Sequence, residues 1–307
     1  MSPEGEPPTV FATRDDGLKL AYQVIGAPDG FPVFLLHGMP GSRIGPRPRH
    51  ITVYRQGIRL ICYDRPGYGR SDRREGRDVA DAARDVEAIA DRLGLDRFAV
   101  VGRSGGGPHA LACAADPLLH RRITSVAVLV SLAPADGLDL DWYSGMNPDN
   151  VRGFGRDTPD TAAVDAEITR RAELARKDPR LLLEHLQMQM TAIDRTVVSQ
   201  SGLRRAILEA YREGLRNGPF GWIDDTLALG RNWKFLPESI DTKVTRVSIW
   251  HGRHDTFAPV SHAEWLANAI PGAEVNIEPN AAHFNAMEAL PQVLARLGRG
   301  RTVTVTG

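Results

Sequence analysis

Long uninterrupted apolar runs are missing from this 307-residue chain. No stretch approaches the ~18 uncharged apolar residues that a membrane-spanning helix needs, so a spanning segment is excluded. A charge excess is missing too: 38 Lys and Arg balance 38 Asp and Glu. No field of one sign is therefore available to recruit nucleic acid or an anionic membrane surface. Lysine is scarce, limited to Lys19, Lys177, Lys234 and Lys243. Because no arginine block exceeds a few residues, the arginine bias reads as composition rather than as a functional patch. Cysteine is nearly absent. Cys62 and Cys113 both lie in apolar contexts and read as buried free thiols suited to a reducing compartment, not as a disulfide. The opening "MSPEGEPPTV" has neither a basic region nor an apolar core, so no secretory signal is expected and the expected location is cytoplasmic. Internal repeats are also lacking.

What is present is a rhythm. "TVFATRDDGLKLAYQVIG" reads as a hairpin turning at Asp16-Gly17. "FPVFLLHG" and "IRLICYD" are short continuous apolar runs, the pattern of strands buried on both faces. "DVADAARDVEAIADRLGL" has helical spacing, with Val79, Ala82, Val86, Ile89, Ala90 and Leu93 on one face, Asp78 as N-cap and Gly94 as stop. The strand "RFAVVGRS", the helix "GGPHALACAA" and the strand "ITSVAVLVSLA" follow. Such alternation predicts a parallel sheet with helices on both faces, an α/β fold. The rhythm breaks after Ser131 and resumes at "KVTRVSIWHG", a longer gap than a simple crossover needs. Thr158-Pro159-Asp160 and Asp178-Pro179 each look like an N-cap followed by proline at the first helical position. The gap is therefore expected to hold an inserted helical subdomain. Helix "SHAEWLANAI", strand "AEVNIEP" and closing helix "HFNAMEALPQVLARLG" complete the sheet.

One turn in this pattern carries chemistry. Gly102-Arg103-Ser104-Gly105-Gly106 fits G-x-S-x-G at a strand–turn–helix junction. There the serine hydroxyl projects above the C-terminal edge of the sheet, and glycines two residues to either side let strand and helix pass. The Gly105 N–H, at the start of the helix, points to where an oxyanion would form. A phosphate loop is excluded because its lysine is missing. The looser dinucleotide pattern at Gly105, Gly107 and Ala110 lies far from the first parallel strand and lacks the acidic residue that should follow.

A serine nucleophile needs a histidine base and a carboxylate to orient it, both on loops at the same sheet edge. Asp255 follows the first strand after the insertion, and His283 opens the final helix. The order Ser104, Asp255, His283 suits this architecture. Asp136, after the preceding strand, is the rival acid. His109 is expected to point away from the turn. His251 and His254 read as structural or solvated, since no ligand cluster accompanies them, and neither metal nor cofactor is expected.

With these residues assembled, the chain resembles the α/β-hydrolase fold family, in the cap-bearing Ser-His-Asp branch of esterase and haloperoxidase type. The resemblance covers about residues 18–136 and 243–297 and implies a mostly parallel eight-stranded sheet. It rests further on "HGMPGS" at 37–42 and "DRPGYGRSD" at 64–72. By that resemblance the Met39 N–H is a second oxyanion donor beside Gly105, His37 and Gly38 shape the turn, and Asp64, Arg65 and Ser71 hold a structural loop. Epoxide hydrolases and haloalkane dehalogenases use aspartate where this chain has Ser104. Proline iminopeptidases carry tryptophan where it has Gly105, with acidic cap residues for the substrate amine. Arg103 stands where apolar or aromatic residues are more usual, positioned to touch substrate or an acidic cap residue.

The expected organisation is a flexible tail at 1–8, core at 9–136, helical cap at 137–242, core again at 243–299 and a tail at 300–307. Candidate substrate-binding residues are Gly38, Arg103, Trp142, Met146, Met188 and Trp222, the last four from an apolar cap. Asp224 and Asp225 read as a solvated helix face. The expected activity is a serine hydrolase that cleaves a carboxylic ester or lactone of a moderately sized, apolar small molecule through an acyl-enzyme, as a monomer or homodimer. Acyl transfer, perhydrolysis or C–C bond cleavage by the same triad are alternatives, and a small-molecule receptor is a third class.

Overall fold

A computed structural model describes residues 7–155 and 161–298. The two tails, apart from residues 7 and 8, and the Thr158-Pro159-Asp160 cap lie outside the described residues.

The expected hairpin forms from β1 (Val10–Thr13) and β2 (Lys19–Gly26), which pair antiparallel. Then come β3 (Phe31–Leu36), α1 (His50–Arg55), β4 (Ile58–Tyr63), α2 (Ala82–Arg92), β5 (Phe98–Arg103), α3 (Gly106–Ala115) and β6 (Ile123–Leu129). Among the described residues six α-helices intervene: α4 (Pro148–Gly153), α5 (Thr161–Lys177), α6 (Pro179–Gln187), α7 (Ala192–Ser199), α8 (Ser201–Gly214) and α9 (Phe220–Leu229). The sheet resumes with β7 (Arg246–Gly252), α10 (Val260–Ala269), β8 (Glu274–Glu278) and α11 (Ala286–Gly298).

The strands form one eight-stranded sheet in the order β1-β2-β4-β3-β5-β6-β7-β8, parallel from β4 onward. Its central strands alternate between two buried faces. Phe34, Leu36, Ile61, Tyr63 and Val100 meet α2, α3 and α10, while Val33, Leu35, Leu60, Cys62 and Val101 meet α1 and α11. Burial on both faces is why these strands read as continuous apolar runs. In α2 the expected face is buried at Ala82, Val86, Ile89 and Ala90, and Gly94 ends the turn at φ 63°. Asp178 caps α6 by accepting from the Arg180 N–H at 2.9 Å, with Pro179 at the first helical position.

A third apolar cluster joins the intervening helices to the sheet's loops: Val164, Ile168, Leu182, Leu186, Ile207 and Trp222 pack with Tyr68, Phe257 and Phe284. The helices thus sit over the C-terminal edge of the sheet. Among the described residues no helix is long and apolar enough to cross a membrane.

Candidate active site

The turn after β5 is tight. Ser104 has φ 53°, a left-handed conformation that costs a β-carbon-bearing residue about 1–2 kcal/mol. A β-carbon at Gly102 would lie 2.2 Å from the Gly106 carbonyl oxygen, and one at Gly106 would lie 2.4 Å from that of Leu36. Strand and helix therefore close on the serine only because both positions lack side chains.

His283 lies three residues before α11, and Asp255 lies in the loop after β7. The Ser104 hydroxyl is 3.1 Å from His283 Nε2, and His283 Nδ1 is 2.8 Å from Asp255 Oδ2. With Nδ1–H donating to the carboxylate, Nε2 is left to accept the serine proton. Asp255 Oδ1 accepts the Phe257 and Ala258 N–H groups at 2.8 and 2.9 Å. Burial alone would raise this carboxyl. The neighbouring His283 and His251 outweigh burial and hold it well below the ordinary carboxylate range. His251, set aside in the sequence, is buried and donates from Nε2 to the Ala258 carbonyl at 2.7 Å, bracing the same loop. Asp194 of α7, not singled out at all, accepts the Phe284 N–H at 2.8 Å and fixes the backbone after His283. Its only sequence signal was the local Thr191-x-x-Asp194 cap. Asp136 is exposed and bonds Asn232, away from the histidine.

Met39 and Gly105 are neighbours: a β-carbon on Gly105 would lie 3.7 Å from the Met39 nitrogen. Among the described residues neither amide is taken up by a turn or loop hydrogen bond. Two buried chains hold the surrounding backbone, and both end at Asp225 of α9. In the first, Arg65 Nη2 donates to Asp225 Oδ2 at 2.6 Å, while Nη1 and Nη2 reach the carbonyls of His37 and Gly38. His37 itself donates from Nδ1 to Gly38 O at 2.7 Å, so the peptide ending in the Met39 N–H is fixed from behind. In the second, Arg77 Nη2 donates to Asp225 Oδ1 at 2.5 Å and Nη1 faces His109 Nε2 at 3.4 Å. His109 Nδ1 in turn donates to Gly105 O at 2.7 Å. Burial, aided by Arg65 and Arg77 and partly offset by Asp225, pushes the His109 imidazole down to about 3, so it stays neutral.

This corrects two expectations. Asp225 is fully buried rather than on a solvated face, because α9 packs directly onto the core, and Asp224 beside it pairs with Arg73 at 3.0 Å. His109 turns back to the elbow rather than away from it.

The chain matches the family described as alpha/beta hydrolase fold over residues 32–290. It belongs to the α/β-hydrolase family. A proline iminopeptidase of Xanthomonas citri is 25% identical over 290 residues, covering 88% of each chain. An esterase from Exiguobacterium antarcticum superposes with a TM-score of 0.68 at 20% identity, over 95% of this chain and 100% of that one. The enol-lactonase from Burkholderia xenovorans gives 0.67 at 19% identity, over 94% and 99%.

In this α/β-hydrolase a cavity lies between the sheet edge and the intervening helices. Met39, Arg103, Ser104, Gly105 and His283 form its floor, and Phe154, Ile168, Ile207, Tyr211 and Trp222 form its walls. It leaves about 70 Å³ for the centres of water-sized atoms, room for roughly five to seven waters. Of the substrate-binding candidates, Arg103 and Trp222 line it. Gly38 lies just behind, where a β-carbon would stand 2.9 Å from Arg103 Nη2. Trp142, Met146 and Met188 do not line it. Trp142 donates to Ala133 O at 2.7 Å and packs among Tyr143, Phe154 and His262. Met146 joins the main core, and Met188, at the end of α6, is 70% exposed because the buried face of that helix is Leu182, Leu183 and Leu186. Among the described residues no group of three or more His, Cys, Asp or Glu is placed to hold a metal ion.

Proposed function

We propose that the protein is a serine hydrolase of carboxylic esters or lactones, and that residues 137–242 form a cap over its acyl site. The hydrogen-bonded run from Ser104 through His283 to Asp255 at the cavity floor carries this reading. Ser104 Oγ attacks the ester carbonyl as its proton passes to His283 Nε2. The Met39 and Gly105 amides receive the oxyanion, each worth roughly 3–4 kcal/mol of barrier. Collapse expels the alcohol, which takes the proton back from His283. A water, deprotonated by the same nitrogen, then releases the acid and restores the serine. An N-terminal ammonium, as a peptidase substrate of the iminopeptidase kind would present, meets no carboxylate among the described residues of the cavity lining.

The test is steady-state and burst-phase hydrolysis of p-nitrophenyl esters from acetate to decanoate, with wild type beside Ser104→Ala. The chain-length optimum sizes the acyl pocket. Loss of a serine nucleophile costs up to about 10⁶-fold in kcat. A Ser104→Ala enzyme within tenfold of wild type would overturn the reading.

A further inference from the structure

Six arginines are buried among the described residues, and five have a carboxylate partner: Arg14 with Asp85, Arg43 with Asp64, Arg65 and Arg77 with Asp225, and Arg171 with Glu167. Arg103 is the sixth. Only 7% exposed, its guanidinium makes no hydrogen bond or ion pair with any described residue. Its nitrogens are not sealed inside protein either. They open on the cavity that holds Ser104, against the bare backbone of Gly38. Tyr211 lines the same cavity, and its hydroxyl likewise has no partner. Arg171, the other guanidinium in the lining, is already neutralised by Glu167 at 2.7 Å, and no carboxylate lines the cavity among the described residues.

A buried cation without a counter-charge is costly, and folding has no reason to keep one. A cavity beside a nucleophile is where a substrate would bring that charge. Burial with no compensating acid pushes the Arg103 guanidinium down to about 10, still cationic at neutral pH. Burial also raises the Tyr211 phenol to about 12, so it remains a neutral donor. Tyr211 has a second face. It also lines an open surface groove with Arg176, Lys177, Arg180, Arg212 and Arg216 against the single acid Asp178, itself paired with Arg180. A chain of zero net charge thus places a basic approach on the far side of the same tyrosine.

We propose that Arg103 and Tyr211 form an anion-recognition subsite beside Ser104, and that the substrate is an ester or lactone bearing a carboxylate. The proposal rests on the hydrolase reading above and names its substrate class. A carboxylate is planar and small enough for the cavity, and its two oxygens match the guanidinium fork. The Tyr211 hydroxyl supplies a further donor to the same group.

The experiment compares kcat/KM for mono-p-nitrophenyl glutarate and adipate with the neutral p-nitrophenyl 5-methylhexanoate and 6-methylheptanoate, whose isopropyl ends copy the carboxylate in shape. Spontaneous hydrolysis is subtracted. Wild type should prefer the anionic member of one pair at least tenfold. Arg103→Met should lower that preference about 10- to 100-fold, the worth of one or two charge-assisted hydrogen bonds. Arg103→Lys, which keeps charge without the fork, should fall between, and Tyr211→Phe should lose several-fold. A wild-type preference near unity, or for the neutral esters, overturns the subsite while leaving the hydrolase reading intact. So does a wild-type preference that survives in Arg103→Met. Absence of turnover with every ester, charged or neutral, overturns the hydrolase reading and the subsite with it.

Discussion

Replacing Asp225 with asparagine keeps the side chain's shape and removes the carboxylate that two buried guanidiniums share. In the native protein Asp225 accepts Arg65 Nη2 at 2.6 Å, Arg77 Nη2 at 2.5 Å and the Tyr68 hydroxyl at 2.9 Å. An asparagine can accept with one atom only, and its amide nitrogen must face a guanidinium. Breaking a buried pair on one side costs about 3–5 kcal/mol, because the stranded charge keeps its desolvation penalty. At roughly 2–4 °C per kcal/mol for a large domain, the melting temperature should fall by about 10 °C. Catalysis should suffer as well. The Gly38 and Gly105 carbonyls are held through Arg65–His37 and Arg77–His109, so slack at Asp225 reaches both peptides beside the proposed oxyanion donors. Losing a fraction of one donor, itself worth roughly 3–4 kcal/mol, predicts a tenfold fall in kcat with KM little changed. The pH dependence has a definite sign. Although burial alone would raise it, Arg65 and Arg77 depress the Asp225 carboxyl below its unfolded value of 3.8. Its stabilisation is therefore complete above that value and is lost as pH falls below it. The gap between wild type and Asp225→Asn should persist to about pH 5 and narrow only under about pH 4. Thermal melts across pH 3–8, with kcat at neutral pH, provide the assay. A drop under about 2 °C together with unchanged kcat would refute the network's role.

Three further outcomes follow from the same packing. Arg103→Met should raise the melting temperature, since a guanidinium moved from 12.5 to about 10 costs the fold on the order of 3 kcal/mol at neutral pH; a lower melting temperature would show the charge to be compensated. Gly102→Ala should destabilise by about 3 kcal/mol or more, its methyl 2.2 Å from the Gly106 oxygen, whereas Gly202→Ala on α8, with nothing within 4 Å, should gain roughly 0.5–1 kcal/mol. Equal effects of the two, read from urea melts, would contradict the elbow packing. Cys62 and Cys113 are buried and free, and burial raises both thiols, so a disulfide-exchange reagent should label neither in the native protein and both in denaturant.

The strands, the parallel character of the sheet and the placing of Ser104 at a strand–helix turn could be read directly because each depends on local pattern. Apolar runs buried on both faces set the sheet, and the crowding of Gly102 against Gly106 is a matter of four residues. What escaped was long-range pairing. In "FGWIDDTLAL" Asp225 has no basic neighbour at helical spacing, and its partners Arg65 and Arg77 lie 160 and 148 residues away. No periodicity reports such a contact, so the carboxylate looked like surface. The intervening helices posed the opposite difficulty. Trp142, Met146 and Met188 are apolar like Trp222, yet only Trp222 faces the cavity, because composition cannot say which apolar side of a small helical layer meets its own core.

Buried arginine therefore has two distinct uses in this fold, separated by whether an acid accompanies it. Arg65 and Arg77 are matched by Asp225, and all their other donors but the buried Nε of Arg77 reach backbone carbonyls or a histidine, so they act as rigid spacers behind the peptides of the proposed oxyanion site. Adding or removing a ligand should leave them in place. Arg103 has the same burial and no acid, so its electrostatic balance is completed only from the cavity. The two classes must then respond differently to a small carboxylate such as glutarate. Any anion that occupies the cavity stabilises the folded state by mass action, and it should do so in wild type and in Asp225→Asn alike. In Arg103→Met, already relieved of its buried charge, the same addition should leave the melting temperature unchanged. An equal upward shift in all three proteins would place the anion elsewhere on the basic surface and remove the distinction.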